Sequence, residues 1–297
     1  MSDWDGLEEI VAIADTGSFV GAARRLRVSA SQISRTVQRL EERLKAELFV
    51  RTTRTVQLTE AGRTLVEQSR RIIDERNEAL QLVRGQGEMQ GELRLTCSTA
   101  LGERFVAPIV RRFIETHPRI SVRLELTNRV IDLVSEGYDV AIRTGHPNDH
   151  RLAARQIASR SVEVCATQAY LDRAGHPREL ADLHRHDCLI GTAVNWHFLE
   201  DGQRRSFVPT GRWRCNSGNA VVDAALAGMG ICQLPSFYVR DHIAAGRLVP
   251  LLEDFRDRPE PVWAVYPQRR YLLPKIQQVI AALEAELDEA MNAPAGV

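Results

Sequence analysis

The sequence predicts an N-terminal, mainly helical unit over residues 1–59, a long connecting helix over 60–88 and a C-terminal α/β unit over 91–297. Three observations predict this. With 297 residues the chain is about twice a typical domain, enough for more than one buried core. Apolar residues recur with helical period as far as Val83, and from Gly91 onward they fall instead into short runs alternating with helical stretches. Charge is also uneven beneath a formal net charge of zero. Residues 1–21 hold five acids and no Lys or Arg, whereas residues 22–58 hold nine bases against three acids.

The remaining composition excludes several classes. Hydrophobic residues make up 44% and charged residues 26%, ordinary for a globular protein, and no apolar run reaches the roughly 18 residues that span a bilayer. The acidic start Met1-Ser2-Asp3-Trp4-Asp5 lacks the basic region and apolar stretch of a secretory signal, so the cytoplasm is the expected compartment. Five cysteines (Cys97, Cys165, Cys188, Cys215, Cys232), odd in number and widely spaced, argue against a disulfide framework or a zinc ribbon.

Leu7, Ile10, Val11 and Ala14 form one apolar face of a first helix that stops at Thr16-Gly17. Ser18 caps a second helix whose apolar set is Phe19, Val20, Ala22, Ala23 and Leu26, and Arg27-Val28 makes a tight turn. Ser29-Ala30-Ser31-Gln32 fits a capping box, so a third helix begins near Ala30. Its apolar stripe is Ile33, Val37, Leu40 and Leu44, and Ser31, Ser34, Arg35, Gln38 and Arg39 point away from it. A tight two-helix turn whose second helix shows hydroxyls, amides and arginines fits a DNA major groove, where Arg pairs bidentately with guanine. The stretch Leu48 to Leu58 reads as two short strands around a basic turn, a wing whose Arg51 and Arg54 meet phosphates or the minor groove. The competing reading, a solvated helical surface, holds for any one arginine taken alone.

The ordered run Gly17-Ser18-Phe19, Ala22-Ala23-Arg24-Arg25-Leu26, Val28-Ser29, Ile33-Ser34-Arg35, Leu40-Glu41, Leu48-Phe49, Arg51, Arg54 and Leu58-Thr59-Glu60-Ala61-Gly62 resembles the LysR-type transcriptional regulators. The resemblance implies a winged helix-turn-helix with its motif at about 19–38, acting on double-stranded promoter DNA as a homodimer or as a homotetramer built from two dimers, with RNA polymerase as a further partner. The DNA-contacting residues it implies are Ser29, Ala30, Ser31, Ser34, Arg35, Gln38, Arg39, Arg51, Thr52, Thr53 and Arg54. The family often carries Gln where this chain has Ala30, which bears on base choice.

Thr59 caps the long helix that Gly85-Gln86-Gly87 ends, about 40 Å at about 1.5 Å per residue. Leu65, Ser69, Ile72, Arg76, Ala79 and Val83 recur at near-heptad spacing. Such a stripe packs either on its own domain or on a partner helix. The resemblance implies the latter, with Leu65, Ser69, Ile72, Arg76 and Val83 as dimerisation residues.

In the C-terminal unit, the runs Leu93–Cys97, Ser121–Leu126, Asp139–Arg143, Val162–Ala166, Ile231–Leu234 and Val262–Tyr266 read as strands of a parallel α/β fold. Helices are expected at Arg104–Thr116, around Val130–Glu136, near Ala220–Ala227, near Phe237–Ala245 and near Lys275–Leu287. The resemblance implies a periplasmic-binding-protein-like effector domain with two lobes, one of about 91–161 and 266–297, the other of about 162–265. Strand ends facing the cleft then present Ser98, Thr99, Ala100, Leu101, Thr127, Asn128, Thr144 and Gly145 from one lobe, and Asn195, Trp196, Asn216, Ser217 and Gly218 from the other. Hydroxyls, amides and helix-start N–H groups suit a small anionic effector such as a carboxylate. The same residue types also serve as ordinary caps.

His184-Arg185-His186-Asp187-Cys188 has no standard zinc spacing, so no metal or other cofactor is expected. Cys97 or Cys215 would serve a redox-sensing regulator, and a solute-binding α/β protein is the other alternative. The sequence has no GxSxG, HExxH or P-loop pattern, which leaves an enzyme reading without a nucleophile or phosphate cradle.

Overall fold

A computed structural model of the chain describes residues 4–51, 56–84, 89–145 and 149–293. It divides into two compact units, residues 1–88 and 89–297.

In the first unit, α1 (Leu7–Thr16), α2 (Phe19–Leu26) and α3 (Ala30–Leu44) precede a hairpin of β1 (Phe49–Arg51) and β2 (Val56–Leu58) and the helix α4 (Glu60–Arg84). The boundaries follow from local chemistry. Gly17 ends α1 in the left-handed conformation, with φ 67°. Ser18 Oγ accepts from Gly21 N at 3.0 Å and Ser29 Oγ from Gln32 N at 3.2 Å, the caps that their positions predict. Arg27 takes φ 56° in the turn between α2 and α3. Most of the expected apolar stripes meet: Ile10, Ala22, Ala23, Ile33, Val37 and Leu40 are buried together with Ile13, Leu48, Phe49 and Val66, whereas Val20 and Leu44 stay exposed. Glu41, on the last turns of α3, accepts from Leu48 N at 2.7 Å and Phe49 N at 3.2 Å, so one carboxylate fastens the hairpin to the helix.

Thr59 caps α4 by accepting from Gly62 N at 2.9 Å. A Cβ on Gly62 would stand 2.0 Å from the carbonyl oxygen of Leu48, so the helix starts this close to the chain only with glycine there. The first half of α4 packs on its own domain. Leu65 and Val66 join the core, Ser69 is fully buried, Arg70 pairs with Asp15, and Arg76 pairs with Glu8 at 2.5 Å. Ser69 is therefore enclosed by its own domain, and Leu65 packs against that domain while staying half-buried. Their small or apolar side chains fill the groove beside α1. Ile72 stays half-buried and Leu80 is exposed, while the Val83 side chain lies outside the described residues.

The second unit holds β3 (Gly91–Cys97), α5 (Thr99–Leu101), a π-turn (Gly102–Val106), α6 (Ala107–Glu115), β4 (Ile120–Leu126), α7 (Leu133–Glu136), β5 (Val140–Thr144) and β6 (Leu152–Arg160). The chain then crosses to β7 (Val162–Ala166), α8 (Gln168–Ala174), β8 (Cys188–Ile190), the hairpin β9 (Trp196–Glu200) and β10 (Gln203–Phe207), β11 (Trp213–Arg214), α9 (Gly218–Leu226), β12 (Ile231–Pro235), α10 (Ser236–Ala244) and β13 (Val249–Leu251). It returns through β14 (Glu260–Pro267) to α11 (Pro274–Asn292). One sheet has the order β4-β3-β5-β14-β6 and the other β11-β8-β12-β7-β13, so the unit has two lobes.

Both sheets are mixed rather than parallel throughout. β14 runs antiparallel to β5 and β6, and β7 antiparallel to β12 and β13. The reversed strands are those that carry the chain between the lobes, because a strand that re-enters a sheet from the other lobe arrives against its neighbours. β14 also moves the second crossing forward. It belongs to the first sheet, so residues 260–265, expected in the second lobe, lie in the first. On one face of that sheet Leu93, Leu95, Ile142 and Val262 pack against Phe105, Ile109, Ile276 and Ile280 of the helices. In the second lobe Cys165, Leu189 and Cys232 pack against Val221, Val222 and Val239.

Candidate functional site

The first candidate surface is the outer face of α3. Ser29, Ala30, Ser31, Arg35, Gln38 and Arg39 are exposed and Ser34 is half-buried, so the structure brings the predicted α3 donors onto one open face. Arg35 Nε donates to the Ser31 carbonyl of its own turn at 3.3 Å, and Gln38 donates to Glu42 at 3.1 Å. These are weak local bonds that a nucleic-acid edge can replace. Thr52, Thr53 and Arg54 and the side chain of Arg51 lie outside the described residues.

The second candidate is a cavity of about 720 Å³ between the lobes. Of the predicted residues, Ser98, Ala100, Leu101, Asn128, Thr144, Gly145, Asn216 and Gly218 line it. Thr99, Thr127 and Ser217 stand behind that lining. Thr99 N donates to Asn128 Oδ1 at 3.1 Å, the Thr127 carbonyl accepts from Arg143, and Ser217 Oγ caps α9. Asn128 also donates to the Asn216 carbonyl at 3.2 Å, a polar bond from one lobe to the other. Asn195 and Trp196 do not reach the cavity. Trp196 is fully buried in the second lobe, its ring 6.0 Å from that of Phe207, because a large apolar ring opening a hairpin gains more from that core than from a wet cleft. Gly191, Thr192 and Ala193 supply that rim instead.

The charges of the cavity were not anticipated. Arg151 binds Asp149 at 2.6 Å and Asp132 at 3.2 Å, and Arg160 binds Glu260 at 2.8 Å, so each of these cations has its carboxylate. Asp132 is held down to about 2 by the Ser135 amide and hydroxyl and then by Arg151. Arg143 differs. Half-buried at the carboxyl end of β5, it donates to the Thr127 carbonyl and to Thr96 Oγ1, and among the described residues no carboxylate bonds it. Burial pulls its pKa down, the mark of a cation with too little counter-charge, although a guanidinium stays protonated. Ala141, Leu133 and Val265 form apolar wall nearby. The legible signal for Arg143 is its place, directly after the apolar run Val140–Ile142 at a strand's carboxyl end.

Cys97 is fully buried, and burial pushes its thiol up to about 12, which disfavours the reactive thiolate. His186, within the His184–Cys188 stretch, is buried with Nδ1 3.1 Å from Tyr170 Oη. Among the described residues no three His, Cys, Asp or Glu side chains converge as a metal site would need, and no helix is long and apolar enough to cross a membrane.

Residues 4–63 match the profile of the bacterial regulatory helix-turn-helix proteins of the lysR family, and residues 86–288 match the LysR substrate binding domain. The chain belongs to the LysR family of transcriptional regulators. This LysR-type regulator is 34% identical over 276 residues to the HTH-type transcriptional activator AaeR of Escherichia coli K12, covering 91% of this chain and 89% of the relative. It is 34% identical over 288 residues to the regulator PtxR of Pseudomonas aeruginosa, covering 95% and 92%. Among solved structures, CrgA of Neisseria meningitidis superposes with a TM-score of 0.58 at 31% identity, covering 95% of this chain and 98% of that one. A full-length AphB variant superposes at 0.63 with 24% identity, which speaks to the fold alone. The regulator is thus a DNA-binding protein with an effector-binding domain, and its relatives are transcriptional regulators.

Proposed function

We propose that the regulator reads double-stranded promoter DNA with Ser29, Ala30, Ser31, Ser34, Arg35, Gln38 and Arg39 in the major groove and with Arg51, Thr52, Thr53 and Arg54 beside it, and that a small organic anion bound between the lobes controls this. Pairing through the second half of α4, where Ile72 and Leu80 retain exposed surface, makes the DNA-reading unit two-fold and its operator near-palindromic. The carrying observation is Arg143, a half-buried guanidinium without a carboxylate partner among the described residues, set beside apolar wall in a cavity of about 720 Å³. That combination suits a carboxylate with an apolar body.

The test is a panel of monocarboxylates, butyrate and benzoate among them, titrated into the full-length protein by calorimetry. A carboxylate that binds the wild type is expected to lose at least about tenfold in affinity against Arg143→Gln, since a charge-assisted hydrogen bond contributes about 1.5–3 kcal/mol. Its neutral amide is expected not to bind. Equal affinity for both proteins refutes the assignment.

A further inference from the structure

Lobes joined only by their crossing strands can turn about those strands as hinges. This regulator has a further fastening, the helix α10. Neighbouring residues of α10 enter the cores of different lobes: Val239 packs in the second-lobe core with Cys165, Val221 and Cys232, and Phe237 is buried in the first-lobe core. There its ring meets that of Phe105 edge-on, with centroids 5.3 Å apart. Phe105 sits in the π-turn, a widened helical turn of a kind often found at functional sites.

Two arginines complete the fastening, and neither lines the cavity. Arg104, from the π-turn, donates Nη1 to the Phe237 carbonyl and stands 3.7 Å from Asp241. Arg240 donates Nη1 to the Met291 carbonyl at 2.7 Å, bonding one of the last carbonyls of α11, where a cation also meets the negative end of the helix dipole. The cavity lies directly against α10 through Phe237 and Tyr238. Tyr238 in turn lies on the start of α9, where a Cβ on Gly218 would stand 2.2 Å from its ring.

We infer that Arg104 and Arg240 are positioning residues that set the opening of the cavity by tying α10 to the first lobe. With both ties in place, the two lobes meet the effector at a fixed separation. Without them, the crossing strands, the packing of Phe237 and Tyr238 on the first-lobe core and the Asn128–Asn216 bond remain to hold the cleft. The inference is independent of which ligand binds.

Hydrogen–deuterium exchange on the full-length protein carrying both Arg104→Gln and Arg240→Gln tests it. Amides at the cleft, in residues 99–102 and 218–221, are expected to exchange about tenfold faster than in the wild type, while those of β3, β7 and β12 keep their protection. Arg240→Lys, which keeps a donor for the Met291 carbonyl, is expected to recover part of the protection. Unchanged cleft exchange overturns the inference. So does acceleration by one common factor throughout the second unit, since that reports lost stability rather than a loosened cleft. Should the double variant fail to fold, Arg240→Gln alone carries the same comparison with an effect of about threefold, and an absent or uniform change again overturns it.

Discussion

The face of α3 and the cavity of the second unit are built in opposite ways. On α3 the side chains proposed to read DNA face outward, Arg35 and Gln38 bonding within their own turns, while the supports (the Ser29 cap, the apolar stripe and Glu41) lie at the helix end and underneath. In the cavity the polar lining groups are themselves structural: Asn128 joins two lobes, Arg160 joins β6 to β14, and Arg143 holds the loop that follows β4. A reading face can therefore change its chemistry without changing its scaffold, whereas a change in the cavity disturbs both.

The sharpest way to break this contrast is to strike the supports. Gly62→Ala places a Cβ 2.0 Å from a backbone oxygen that has nowhere to go, and is expected to cost the first unit about 3 kcal/mol, read as a lowered melting midpoint and lost DNA binding. Gly218→Ala meets the Tyr238 ring at 2.2 Å, a side chain that can swing aside, so its expected cost is about 1 kcal/mol with the cavity reshaped. Equal costs would mean that the first unit yields as readily as the cavity wall.

Arg35→Ala is expected to leave the melting midpoint of the protein within error and to weaken binding to its selected operator by about 1–3 kcal/mol, measured by electrophoretic shift at fixed salt. Loss of stability instead would place Arg35 among the supports. The smallest effect concerns Asp132. Its folded pKa of about 2 lies below the ordinary carboxylate value, so its contribution is present above about pH 4 and is lost as pH falls through 2. Acid unfolding of Asp132→Asn between pH 4 and 2 is expected to show a shallower slope than the wild type, and an identical slope contradicts this.

The same contrast decides what the sequence makes legible. The three helices, both serine caps and the glycine stop of the first unit come from interactions spanning a few residues, which periodicity and capping chemistry record directly. The cavity depends on partners far apart, such as Arg160 with Glu260 and Asn128 with Asn216, and spacing says nothing about those. β6 escapes notice because Leu152–Arg160 alternates poorly and is rich in Ala and Arg. It forms because β14 pairs with it along its length while α11 covers it through Arg155–Glu284 and Ser159–Asp288. Trp196 reads as a cleft residue by position and proves to be core, since hairpin packing overrides its place in the chain. On α4, two positions of a heptad-like stripe turn inward for the same reason: the nearest groove is that of their own domain.

Glu41 sits at the end of α3 away from the exposed side chains proposed to enter the groove, yet its carboxylate accepts from the amides of Leu48 and Phe49 where the hairpin begins. Helix and wing are thereby clamped into a single tool whose handle is separate from its cutting edge. If the proposed reading holds, Ser31, Ser34 or Gln38 can be exchanged one at a time for a new operator while the Glu41 clamp between α3 and the hairpin is inherited intact.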